Sequence, residues 1–216
     1  MTASDLKILE AALNEMEKVA PHIPDLIYAT GPVSYGYQFG DDRMVFNALV
    51  AASWRTADTL FATANSRVAL LDEEFAGIEI GFRGSDFYSL KANLAVAAAP
   101  LIASGQVPHD LLQGVIERAD KASYLNAHVP DDVYYLHALS VFERFRGAGV
   151  GAGLLDDAKN RARAAGYREL QLDVLADNPA VDFYFAQGLR IVVETISPEL
   201  TRDHGFPSEL RMAVSL

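Results

Sequence analysis

The sequence predicts an α/β fold, and two stretches carry that prediction. Tyr134–Val141 is a run of β-branched, aromatic and aliphatic residues, about eight long, which is the pattern of a buried strand. Glycines crowd the turn after it at Gly147, Gly149, Gly151 and Gly153. Val150, Leu154, Ala158, Ala162 and Ala165 then recur at helical spacing, and Gly166 supplies the helix stop. Beyond that helix, residues 169–174 set Leu170, Leu172 and Val174 against Gln171 and Asp173, the alternation of another strand. Strand, glycine-rich turn, helix and strand form the centre around which the chain is arranged.

From the N-terminus, residues 4–20 place Leu6, Leu9, Leu13, Met16 and Ala20 at helical spacing, with Ser4 as N-cap and Pro21 at the end, so an amphipathic helix is expected. Residues 21–40 are rich in Pro, Gly and Tyr and show no clear period. Tyr28, Tyr35, Tyr37 and Phe39 there either line a pocket or pack over the core. A second helix is expected from Asp42 to about Ala62, with Met44, Val45, Ala48, Leu49, Ala52 and Leu60 on one side. Residues 67–72 and 77–82 read as two strands joined by a short acidic turn, an antiparallel hairpin. About fifty residues then intervene before the central strand, far more than an ordinary connection, so they carry structure of their own. Residues 86–103 and 109–122 both look helical, Pro108 opening the second. After residue 174, residues 179–187 fit a short helix opened by Asp177 or Asn178 and stopped by Gly188. Residues 189–195 and 209–216 read as two more strands, and the polar stretch 197–208 between them as a loop that borders a substrate.

A chain of 216 residues has room for a sizeable core in one large domain or two small ones, and half of its residues are hydrophobic. No segment reaches the roughly twenty apolar residues of a membrane span. The N-terminus carries Asp5, Lys7 and Glu10 and does not resemble a signal peptide, so cytoplasmic residence and no membrane partner are expected. With no cysteine, disulfides, thiolate metal sites and a cysteine nucleophile are excluded. A formal net charge of −11 argues against nucleic acid as a partner, since that affinity comes from Lys and Arg on phosphate. The same charge suits a cationic substrate such as an amine, or simply keeps the protein in solution. The five histidines, His22, His109, His128, His137 and His204, show no pair at ligand spacing, and no metal is expected. No G-x-S-x-G marks a serine hydrolase.

Strand, glycine turn and helix together form an anion-binding arrangement, because unpaired N–H groups and the positive end of the helix dipole converge there. A P-loop would need Lys-Ser/Thr after its last glycine, and Gly151 is followed by Ala152 and Gly153. A dinucleotide fingerprint is partly mimicked by Gly147, Gly149 and Ala152, and Asp173 lies near its acidic position, so spacing alone leaves a nucleotide-binding oxidoreductase open. The decision comes from Arg146-Gly147-Ala148-Gly149-Val150-Gly151 taken with a second block, Asp177-Asn178-Pro179-Ala180, Phe183-Tyr184 and Gly188-Leu189. These blocks resemble the GNAT superfamily of acyl-CoA-dependent N-acyltransferases, whose pyrophosphate loop Q/R-x-x-G-x-G/A is met by Arg146, Gly149 and Gly151. The resemblance covers roughly residues 133–195, with support from the hairpin at 67–82.

The resemblance implies a single domain over 1–216: a mixed, mainly antiparallel central sheet flanked by helices, with a helical N-terminal part at 1–66 and a CoA-binding core at 133–195. It also makes the helical insertion at 86–128 a departure from a minimal member, expected to cover the acceptor pocket. The implied reaction is transfer of an acetyl group from acetyl-CoA, the acyl donor, to a primary amine. The implied donor site is the backbone of Gly147, Ala148, Gly149, Val150, Gly151 and Ala152, main-chain groups of Leu139 and Val141 along the pantetheine arm, and Arg146. Arg144 either contacts a CoA phosphate or is a solvated surface arginine. Asn178 is a further CoA contact, although the family has one more residue between asparagine and tyrosine than Asn178 and Tyr184 leave, so Asp177 could hold that place.

Acyl transfer from a thioester needs the amine neutral and the leaving thiolate protonated. By its place before Gly188, Tyr184 matches the family tyrosine that faces the sulfur, and it is expected to be the general acid. For the base, strand parity puts Tyr135, His137, Leu139 and Val141 on one face, and His137 is the side chain in that run whose ordinary pKa suits proton removal. Glu79 acting through water and His204 in the late loop are alternatives, and a packed, hydrogen-bonded histidine is the non-catalytic reading of His137. A module that keeps a CoA pocket but only senses or interacts is the competing class of function. Homodimerisation through exposed strand edges or residues 4–20 is left open.

Overall fold

A computed structural model describes residues 5–11, 16–40 and 43–216. These residues build one seven-stranded sheet from β1 (Leu6–Glu10), β2 (Ser66–Leu71), β3 (Glu74–Arg83), β4 (Tyr134–Val141), β5 (Glu169–Leu175), β6 (Arg190–Thr195) and β7 (Glu209–Ser215). The strand order is β1-β2-β3-β4-β5-β7-β6, and every neighbouring pair is antiparallel except β4 with β5. The expected mixed, mainly antiparallel α/β sheet is therefore present. The β2–β3 hairpin turns through Asp72 and Glu73, both at positive φ (50° and 68°), as the tightest hairpin turns require.

The N-terminal segment departs from expectation. In place of a helix over 4–20, residues 6–10 add β1 to the edge of β2, Leu6 opposite Leu71 and Glu10 opposite Arg67. Leu6 and Leu9 fit both a helical and an extended period. The exposed edge of β2 decides between them, because Leu6 and Ile8 then pack on the central helix while Leu9 faces the opposite layer. The proposed cap Ser4, with Leu13 and with Asp42 at the start of the second expected helix, lies outside the described residues.

Helices cover both faces. On one lie α1 (Met16–Val19), α2 (Ile23–Thr30), α3 (Pro32–Phe39) and α4 (Met44–Arg55), followed by the insertion, α5 (Phe87–Ala92), α6 (Leu94–Ala103) and α7 (His109–Ala122). Residues 21–40, without a legible period, form two helices because each opens with proline in its first turn, where the missing N–H costs nothing. The second expected helix stops at Arg55, short of Ala62: the Thr59 hydroxyl donates to the Ser53 carbonyl (2.9 Å), and the chain turns back to deliver Leu60 and Phe61 to the core. Ile23, Ile27, Phe46, Val50 and Trp54 pack there against Val68, Ile78, Ile80 and Phe82. The insertion is helical as expected, broken at Asn93.

The other face carries α8 (Val150–Ala164) and α9 (Ala180–Ala186). Leu154, Leu155, Ala158 and Ala162 are fully buried against β1 to β5. Arg161 of α8 reaches through to the fully buried Glu79 of β3 and the hydroxyl of Tyr134. Residues 198–204, expected as loop, form the short helix α10 (Pro198–His204), again opened by proline. Among the described residues no helix is long and apolar enough to cross a membrane.

Candidate active site

Two breaks in regular pairing open the site. β4 and β5 pair only at Tyr134 with Leu170 and Tyr135 with Gln171, and from Leu136 onward β4 has no strand partner on that side among the described residues. The register of β4 against β3 also shifts, Ala138 facing Ile80 but Leu136 facing Gly81, so His137 is the extra residue of a β-bulge. Simple alternation therefore fails. Tyr135 and Ala138 pack toward α2 and α4, whereas Tyr134, Leu136, Leu139 and Val141 pack toward α8, separating His137 from the face of Leu139 and Val141 to which parity had assigned it. The diverging strands enclose a cleft of about 950 Å³.

The mouth of the cleft is the glycine turn. Gly147 (φ 78°) and Gly149 (φ 84°) adopt the left-handed conformation that glycine enters without strain, and Gly149 caps α8. The amides of Gly147, Gly149, Val150, Gly151 and Ala152 have no backbone acceptor among the described residues, while Ala148 N–H donates to the Phe145 carbonyl (3.3 Å). Free N–H groups at the start of a fifteen-residue helix form a cradle for an anion.

Of the residues expected at the donor site, Leu139, Val141, Arg146, Gly147, Gly149, Val150, Gly151, Ala152 and Asn178 line this cleft, as do Tyr184 and His137. Ala148 and Arg144 do not. The Arg144 guanidinium lies over the rings of Phe142 and Phe145, at 5.0 and 4.6 Å, and 3.9 Å from the Glu74 carboxylate. The Asn178 Oδ1 accepts the Ala180 N–H (2.9 Å), closing a local turn that leads into α9.

Tyr184 sits on α9, packed among Leu155, Leu172 and Val174, with 7% of its surface exposed. Burial pushes its phenol up to about 12, so it stays protonated and can donate. His137 lies among the rings of Phe61, Phe82, Phe87 and Tyr135. Its Nε2 is sealed from solvent with no hydrogen-bond partner, and burial, aided by the charge of Lys91, lowers its pKa to about 4. That counts against proton removal at neutral pH. The two alternatives fare no better: Glu79 is tied to Arg161 on the α8 side of the sheet, and His204 is an exposed residue of α10, its ring 4.7 Å from that of Tyr37. Neither lines the cleft.

Sequence reasoning missed a polar group on the floor opposite α8. Arg211 of β7 is 2% exposed and donates to both carboxylate oxygens of Asp173 and to the carbonyls of Ala127 (2.8 Å) and His128 (3.0 Å). The Tyr135 hydroxyl donates to Asp173 Oδ2 (2.8 Å). Beside them Glu209 accepts from the Asn126 Nδ2 (2.7 Å), and its carboxyl is raised to about 7, first by burial and then by the charge of Asp173. No local pattern announced this group, because its members come from β4, β5, β7 and the segment after α7. Among the described residues no cluster of three or more acidic or histidine side chains could hold a metal ion.

A mixed sheet split open between two parallel strands, with a glycine cradle at the head of the following helix, defines the acyl-CoA-dependent N-acyltransferase class. Residues 111–189 match the acetyltransferase (GNAT) family. Solved structures share its fold. An N-acetyltransferase from Staphylococcus aureus Mu50 superposes with a TM-score of 0.70 at 15% identity, over 96% of this chain and 100% of that one. A structure described as acetyltransferase gives 0.62 at 20% identity, over 97% and 98%. A mosquito arylalkylamine N-acetyltransferase like 5b gives 0.59 at 15% identity, over 98% and 100%. No curated protein sequence matches the chain.

Proposed function

We propose that this protein transfers the acetyl group of acetyl-CoA directly to a primary amine. The carrying observation is the junction of two features in one cleft: unpartnered amides at the glycine turn, and an unpaired edge of β4 running from that turn to Tyr184. A diphosphate fits the amides of Gly147, Gly149, Val150, Gly151 and Ala152, with Arg146 beside it. The pantetheine arm then lies along Leu139 and Val141 as an added strand, its amides satisfying main-chain groups that β5 leaves unpaired. This places the thioester deep in the cleft, between Tyr184 on the α8 side and the polar floor on the other.

The neutral amine attacks the carbonyl carbon and forms the C–N bond, the C–S bond breaks, the thiolate takes the Tyr184 proton, and the proton the nitrogen loses returns to the tyrosinate through solvent. Phe87, Lys91, Ala122, Leu125 and Asn126 bring the insertion to the same cleft, which supports its role in covering the acceptor. Calorimetry with acetyl-CoA, followed by thiol release with a panel of amines, tests the assignment; folded protein that shows no saturable heat with acetyl-CoA refutes it.

A further inference from the structure

The floor of the cleft holds two carboxylates of different standing. Asp173 is neutralised: Arg211 pairs with both of its oxygens and Tyr135 donates a third bond. Glu209 has a single neutral donor, the Asn126 amide on Oε2, and its other oxygen has no bond from the protein among the described residues. Around them the cleft is walled by Tyr35, Leu60, Phe87, Leu125 and Phe206.

We propose that Glu209 receives the ammonium of the acceptor and takes its proton, and that the acceptor is a monoamine with an aromatic or bulky apolar body. The inference rests on the acyl-transfer reading above. A half-buried carboxylate with one uncommitted oxygen is matched by one cationic donor, and aromatic walls reward an apolar body. With Asp173 already paired, Glu209 is the uncommitted carboxylate of this floor; the other carboxylate in the cleft lining, Asp177, is exposed near the start of α9, where a second cation on a polyamine would gain little for the hydration it loses.

The step balances. The ammonium gives one proton to Glu209, and the neutral nitrogen attacks the thioester carbonyl. The C–N bond forms, the C–S bond breaks, and Tyr184 protonates the thiolate. The second nitrogen proton returns to the tyrosinate through solvent, and Glu209 releases its own, so ammonium plus thioester gives amide, thiol and one proton. The groups facing Glu209 are Tyr135 on β4, Asp173 on β5, Arg211 on β7 and Asn126 beyond α7; burial and Asp173 outweigh Asn126 and Arg211 and set its ionisation near neutrality, where a base is most effective.

The test uses acetyl-CoA with phenethylamine or putrescine as probe, read by thiol release across pH, on the full chain and on Glu209→Gln and Glu209→Asp. The wild type is expected to prefer phenethylamine by at least about tenfold in kcat/KM and to lose activity as pH falls through about 7. Glu209→Gln is expected to lower kcat/KM at neutral pH by roughly 10²-fold and to remove the break near 7, activity instead climbing steadily with pH as solution supplies neutral amine, while acetyl-CoA affinity holds. Glu209→Asp should keep the limb at a shifted pH. A wild type that binds no acetyl-CoA sinks the acyl-transfer reading and this one with it. A wild type that binds acetyl-CoA but turns over neither probe, or putrescine as well as phenethylamine, overturns this inference alone. So does a folded Glu209→Gln protein whose profile still breaks near 7.

Discussion

Replacing Tyr184 by phenylalanine removes one oxygen and separates chemistry from folding with opposite signs. In the structure the Tyr184 side chain is 7% exposed, and its hydroxyl makes no hydrogen bond to any described residue. A hydroxyl taken from water without a partner costs about 1–3 kcal/mol on mutational scales, and the part of that cost relieved here is set by how far the oxygen already touches the cleft. The variant is therefore expected to be as stable as the wild type or better by up to about 1 kcal/mol, a Tm gain of at most about 2–4 °C for a chain of this size. Turnover is expected to fall at least about tenfold, since the phenol, held protonated by burial, is the proposed proton source for the thiolate. Acetyl-CoA affinity is expected to hold. The assay pairs differential scanning fluorimetry with thiol release under saturating acetyl-CoA. A Tyr184→Phe protein with wild-type turnover refutes the acid role; one that loses several degrees of Tm refutes the account of an unpartnered hydroxyl.

Arg211→Met leaves Asp173 buried with only Tyr135 as donor, and urea unfolding should show a loss of about 3–5 kcal/mol. Gly149→Ala forces a Cβ into a residue at φ 84°, where nothing stands within 4 Å, so the strain is conformational and not steric. It should cost about 1–2 kcal/mol and weaken acetyl-CoA in calorimetry by misaiming the cradle amides. Glu79 is fully buried and its carboxyl is raised to about 7 by that burial, above its ordinary 4.5. Between those values the native state holds more protons than the unfolded chain, so stability falls as pH rises across the window; urea curves should show a flatter slope for Glu79→Gln, the share of Glu209 persisting. His137→Gln should leave the neutral limb of the kcat/KM profile unmoved, because a histidine with its pKa lowered to about 4 does not titrate there.

What local pattern encodes was legible in the chain. The central strand was read at its observed bounds, and the helix after it differs by a residue at its end, because a continuous apolar run, a glycine stop and a 3.6 period are properties of neighbouring residues. The same holds for the hairpin, the insertion helices and the cradle glycines, whose left-handed φ only glycine adopts without strain. Three features needed the assembled sheet. Residues 6–10 became a strand because the edge of β2 was open to them, an attraction no local period contains. The bulge at His137 undid parity, since one inserted residue reverses every side chain beyond it. The floor of Asp173, Glu209, Arg211 and Tyr135 exists only because β4, β5 and β7 lie side by side; burial with the charge of Asp173 raises Glu209 toward neutrality, and burial with that of Lys91 lowers His137 out of range. Backbone conformation is chosen among near neighbours. The basicity of a side chain follows from which distant segments exclude water around it, and that is a property of the folded molecule.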